Sequence, residues 1–145
     1  MASMLRISDA ASLGLHTMVL LAAHEGKVIA TGEIASVLHV SEAHLSKVLQ
    51  RLDKTGLVRS VRGPRGGFAL AKSGRAITLL EVYEAIEGPL VATECLLGSP
   101  VCGRNCILGG LLDGVNRQVK DYFAGTSLAS LVNSYRNVRV NTGER

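Results

Sequence analysis

No stretch of this chain stays apolar for long. The longest uninterrupted run is Met18 to Ala23, far short of the about 20 residues a membrane span needs, and this excludes a transmembrane helix. A secretory leader is not expected either: Arg6 precedes the apolar segment, but Asp9, Ser12 and His16 interrupt it and no small-x-small cleavage site follows. The expectation is a cytoplasmic protein with no membrane partner. Cysteine is scarce as well. There are three, an odd number, all between Cys95 and Cys106, which argues against a disulfide scaffold and for metal or thiol chemistry in a reducing compartment. Enzyme signatures are missing: there is no CxxC pair, since Cys102 and Cys106 flank three residues, no nucleotide-binding glycine fingerprint and no Ser/His/Asp constellation. The chain reads as a non-enzyme, without internal repeats or low-complexity tracts.

What is present fits one domain with appendages. A chain of 145 residues, 47% hydrophobic and 19% charged, can bury a real core. Its net charge of +4 is unevenly spread. Between Ser41 and Arg75 eight basic residues (Lys47, Arg51, Lys54, Arg59, Arg62, Arg65, Lys72, Arg75) face only Glu42 and Asp53, a local balance of +6 that leaves −2 elsewhere. A basic segment beside an acidic remainder suggests a face for a polyanion, because lysine and arginine displace counterions from phosphate. Charge alone would also suit an ordinary solvated face.

The order of the segments weighs against the solvated face. Leu13, His16, Thr17, Leu20 and Leu21 recur at helical spacing from Ala11 to His24, with Gly26 as the stop. A second, short helix is expected from "TGEIASVLHV" with Thr31 as its cap, and His39 is expected to pack near the turn. In "SEAHLSKVLQRLDKTG" Ser41 caps a third helix, Leu45, Val48, Leu49 and Leu52 face inward, and Gly56 ends it. Two short helices across a tight turn form a helix-turn-helix pattern. "LVRSVRGPRGGFAL" then reads as two strands around the Gly/Pro-rich tip "RGPRGG", a hairpin wing carrying Arg62 and Arg65. Together these predict a winged helix-turn-helix that binds double-stranded DNA, with the helix in a major groove and the wing on backbone or minor groove. His44, Ser46 and Lys47, with Ser41 exposed at the helix start, are candidates for base edges; Arg51, Arg59, Arg62 and Arg65 are candidates for phosphates.

Beyond the wing, Thr78 caps the amphipathic segment "LLEVYEAIEG", and the cysteines follow in "CLLGSPVCGRNC". Gly98, Pro100 and Gly103 make this a loop, so buried cysteines acting as small hydrophobes are the weaker reading. Thiolates suit iron–sulfur clusters and zinc alike, and three with one imidazole would also satisfy tetrahedral zinc. The next segment sets Leu108, Leu111, Leu112, Val115, Val119, Tyr122 and Phe123 on one stripe of a long helix. Gly109, Gly110 and Gly114 make it a poor helix by itself, so a second copy across a two-fold axis is expected to cover it. "TSLASLVNSYRN" adds a short last helix. The expected organisation is mainly α with a small β-hairpin wing: a DNA-binding region over 1–90, a cysteine loop over 91–107, dimerisation and C-terminal helices over 108–137, and a frayed tail over 138–145.

From "LGLHTMVLLA" through the wing "GLVRSVRGPRGGF", "ITLLEVYEAIEGP", the three cysteines and the long helix, the chain resembles the Rrf-type winged helix-turn-helix transcriptional regulators. These include the iron–sulfur assembly regulator and the nitric-oxide-sensing repressor. The resemblance implies a homodimer on a palindromic operator and, in members with three cysteines, an iron–sulfur cluster, 2Fe-2S or 4Fe-4S, that tunes DNA affinity. Members without the cysteines sense other signals. Two departures stand out. The spacing here is C-x6-C-x3-C, with a short second gap, and Gly109 occupies the position where the assembly regulators carry a histidine ligand. In other branches the fourth ligand comes from the first helix of the partner subunit. Matching "SLGLHTM" to that helix puts Ser12 at the acidic ligand's place and His16 one turn on, so His16 of the partner subunit is the first candidate and Asp9 the second. The competing reading of His16 is a hydrogen-bonded histidine on a half-buried helix.

Overall fold

The computed structural model describes residues 5–91, 95–97, 99 and 101–142; Gly98 and Pro100 of the cysteine loop lie outside them. Helix α1 (Asp9–Ala23) is the centre of the molecule. Its burial runs almost around the helix, through Ala11, Leu13, Gly14 and Thr17 to Ala22, because α3, α4, the hairpin and the C-terminal segment all pack on it. Of the residues that recur at helical spacing here, His16 is exposed and Leu13, Thr17, Leu20 and Leu21 are buried. The helix starts two residues earlier than the periodicity indicates, since the Ser8 hydroxyl accepts from the Ala11 N–H and fixes the first turn.

Helix α2 (Thr31–Leu38) corrects a cap assignment. Ala30 occupies the N-cap without a side-chain bond, and Thr31 is already helical. His39 does not pack beside the turn but makes it: its backbone is left-handed, at φ 55, and its N–H returns to Ala35 and Ser36. Helix α3 (Glu42–Lys54) follows expectation, with Ser41 accepting from the His44 N–H and Leu45, Val48, Leu49 and Leu52 buried. It ends in a Schellman arrangement. Gly56, at φ 77, donates to Asp53 O while Leu57 donates to Leu52 O.

Strands β1 (Val58–Val61) and β2 (Gly67–Leu70) pair antiparallel, Val58 opposite Leu70 and Val61 opposite Gly67. Ile29 pairs with Phe68 from the other side and stitches the wing to the chain before α2. The glycines of the tip are required by space. A Cβ on Gly66 would stand 2.2 Å from Val61 O, and one on Gly67 2.1 Å from Ile29 O. Helix α4 (Leu79–Glu87) opens with a capping box between Thr78 and Glu81.

Helix α5 (Leu111–Gly125) packs along α4 and begins three residues after the expected Leu108; Leu108 to Gly110 form a turn and Gly110 is an N-cap with no side chain to offer. Phe123 is its buried residue, its ring 5.8 Å from that of Tyr83. The last helix is a 3-10 helix (Leu128–Ser134), and it sits on α1. The tail expected to fray is anchored as far as Asn141. Val138 and Val140 pack on the core, Val138 O faces His24 Nε2 at 3.1 Å, and the Asn141 N–H donates to Glu33 at 3.1 Å. Residues 143–145 lie outside the described set.

Candidate nucleic-acid interface and cysteine loop

Helix α3 buries one face and offers the other. His44, Lys47 and Arg51 are exposed on it, Ser46 is half-buried, and the Ser41 hydroxyl is occupied as the cap. Gln50, which the sequence reading did not single out, is also exposed, three residues beyond Lys47 on the same helix. On the hairpin Arg59, Arg62 and Arg65 are exposed. Among the described residues the ion pairs are Lys72–Glu81 and Arg117–Asp113, and neither involves Lys47 or the three wing arginines. Arg51 differs. Its guanidinium donates to the carbonyl of Ile86 on α4 at 3.1 Å.

The three cysteines are free thiols, Cys102 and Cys106 exposed and Cys95 half-buried. Two successive turns carry the later pair: Asn105 donates to Cys102 O, and Gly109 to Cys106 O. Gly103 and Gly109 sit at φ 61 and 57, left-handed backbone that glycine adopts without strain. Within one chain, no three His, Cys, Asp or Glu side chains of the described residues converge as a metal site. The donor types fit a soft metal centre, but the described residues of a single chain do not gather them.

His16 is hydrogen-bonded within its own helix. Its Nδ1 lies 2.7 Å from the Ser12 carbonyl, which can only accept, so the neutral ring carries its proton there and Nε2 keeps a lone pair. Asp9, Ser12 and His16 line a cavity of about 530 Å³ with Leu13, His44 and Tyr135 among the other walls. Burial raises the Tyr135 phenol above its ordinary value.

A capped helix set to enter a groove, with an arginine-tipped hairpin beside it, places the molecule among the winged-helix DNA-binding regulators. The family model of Rrf2, described as an iron-dependent transcriptional regulator, matches residues 7–134, and the chain belongs to that family. It is a transcriptional regulator and not an enzyme. The HTH-type transcriptional regulator IscR of Erwinia tasmaniensis is 36% identical over 118 residues, covering 80% of this chain and 70% of the relative. CymR (YrzC), the global cysteine regulator of B. subtilis, superimposes with a TM-score of 0.76 at 30% identity, over 90% of this chain and 98% of its own. T. potens IscR, 24% identical over 95% of this chain and 93% of its own, shares the fold with a TM-score of 0.72. No helix among the described residues is long and apolar enough to cross a membrane.

Proposed function

We propose that this chain is a cytoplasmic homodimeric repressor whose operator affinity is set by an iron–sulfur cluster on the loop from 91 to 107. The observation that carries the reading is the set of three free thiols on an exposed loop between α4 and α5, in a chain with no other cysteine. Cys95, Cys102 and Cys106 would hold the cluster, and His16 of the partner subunit would complete the set through Nε2. A cluster supplies a redox- and nitric-oxide-sensitive centre whose charge and bonds order the loop that holds it. The chain's own residues do the rest. His44, Ser46, Lys47 and Gln50 face base edges, while Arg59, Arg62 and Arg65 hold phosphates.

Dimerisation falls to α5, where Leu111 is 57% exposed, Val115 41% and Tyr122 57%, an apolar face that one chain leaves uncovered. Two recognition helices must match half-sites one helical turn apart, about 34 Å, so a change at the loop that alters their spacing alters affinity. A second reading, a zinc or thiol switch without a cluster, is favoured by the exposure of Cys102 and Cys106. Anaerobic purification with iron, zinc and acid-labile sulfide analysis separates the two. Cys95→Ala, Cys102→Ala and Cys106→Ala should each lose iron and sulfide, and the cluster reading fails if all three retain the parent spectrum and iron content.

A further inference from the structure

The last turn of α4 is a junction of three helices and the point at which the chain leaves for the cysteine loop. Gly88 caps it at φ 81, its N–H returning to Glu84 O, and Pro89 follows. From α3, Arg51 Nη1 donates to Ile86 O at 3.1 Å. From the N-cap of α1, Ser8 donates its hydroxyl to the Glu87 carboxylate. The Ile86 side chain is buried against α1 at Gly14, where an added Cβ would stand 3.1 Å from Ile86 Cγ1. Carbonyls in a helix's last turn have no partner within the helix and carry the negative end of its dipole, so a guanidinium is a matched partner for one of them.

From this geometry we infer that Arg51 is a positioning residue that ties the recognition helix to the root of the cysteine loop, and not a phosphate contact. The hydrogen bond spans 35 positions in sequence and joins the reading helix to the turn that precedes Gly88. Any rearrangement of the loop that shifts the exit of α4 moves the Ile86 carbonyl, and α3 is tied to that carbonyl at Arg51, one turn beyond Lys47. The Ser8–Glu87 bond passes the same displacement to the start of α1, beside Asp9. The loop as the regulated element is taken from the reading above, but the link between α3 and α4 does not depend on what the loop holds.

Coupling is reciprocal: if the loop alters DNA affinity through this bond, DNA binding must alter the loop root. The experiment measures amide hydrogen exchange at Glu87, Gly88, Leu90 and Val91 in the full-length, anaerobically purified protein, free and bound to a duplex selected by the protein from a random-sequence pool. Wild type and Arg51→Met, which keeps an unbranched apolar stem but has no donor, are compared, with thermal melting to establish that the variant is folded. In wild type, DNA should change exchange at these amides by about fivefold or more, in line with ordinary coupling strengths. In Arg51→Met the change should fall below twofold, while the salt dependence of DNA affinity keeps its slope. A slope lower by about one phosphate contact, as expected of Arg62→Ala, would make Arg51 a phosphate ligand and overturn the inference. So would a wild-type protein whose loop root ignores DNA, or an Arg51→Met protein that responds fully. Loss of iron from the cysteine variants tests the cofactor separately, so a failed cluster reading leaves this result interpretable.

Discussion

Replacing Gly67 with alanine should detach the wing from the body of the domain. The added Cβ would lie 2.1 Å from Ile29 O, 2.5 Å from Ile29 C and 2.7 Å from Ala30 N, all of them backbone atoms that no side-chain rotation can clear. Relief requires the Ile29–Phe68 bridge to open, breaking two hydrogen bonds of 2.9 Å. Each contributes about 1 kcal/mol. Backbone at φ +158 adds strain of about 1–3 kcal/mol for a residue with a side chain. Together the loss is about 3–5 kcal/mol, a large share of a domain's total stability, and should lower Tm by roughly 10 °C. Urea denaturation of wild type, Gly67→Ala and Gly63→Ala is the assay. Gly63, at φ +104 with nothing within 4 Å of its would-be Cβ, reports backbone strain without the clash. Gly67→Ala should also bind DNA more weakly, because Arg62 and Arg65 ride on the displaced tip. If it falls within about 0.5 kcal/mol of wild type, the ordinary range for a surface change, the steric account of the wing is wrong.

Other perturbations test separate parts of the molecule. Arg62→Ala and Arg65→Ala should each reduce the slope of log affinity against log salt by about one, measured by fluorescence anisotropy, and unchanged slopes would remove the wing from the interface. Thr78→Ala removes the capping box of α4 and should cost about 1 kcal/mol in denaturant titrations. Leu111→Lys with Val115→Lys should convert the proposed dimer to a monomer in sedimentation, whereas an unaltered dimer would place the interface elsewhere. Because the folded protein holds the Tyr135 phenol protonated above its ordinary value of about 10, stability should be full below that pH and decline as pH rises through it. Tyr135→Phe should abolish that decline.

Local chemistry was legible in the sequence wherever the local chain decides the structure. Ser41 before Leu45, Gly56 after the last turn of α3 and "RGPRGG" between two apolar pairs specify their helix and hairpin through nearest neighbours. The hidden features depend on distant partners. Arg51 reads as one more exposed cation until α4 brings the Ile86 carbonyl to it, and the tail from Val138 reads as polar and loose until His24 and Glu33 hold it. Periodicity overextended α5, because Leu108 continues the stripe but Gly109 and Gly110 leave the helix nothing with which to cap an earlier start. Periodicity grouped His16 with Leu13, Thr17, Leu20 and Leu21 but could not show that its ring turns to the Ser12 carbonyl at the surface. The cysteines were visible as a set. Their assembly was not, because within one chain the described donors do not converge, and the proposed ligand set draws on two.

The most direct test of the regulatory account is the operator affinity of one anaerobic preparation measured before and after the loop is emptied by chelation, with iron and sulfide determined on the same samples. Iron and acid-labile sulfide should be present in the starting protein and absent after treatment, with affinity changing by about fivefold or more, the usual scale of allosteric coupling. Equal affinities in the two states, with the protein still folded and dimeric, would contradict it.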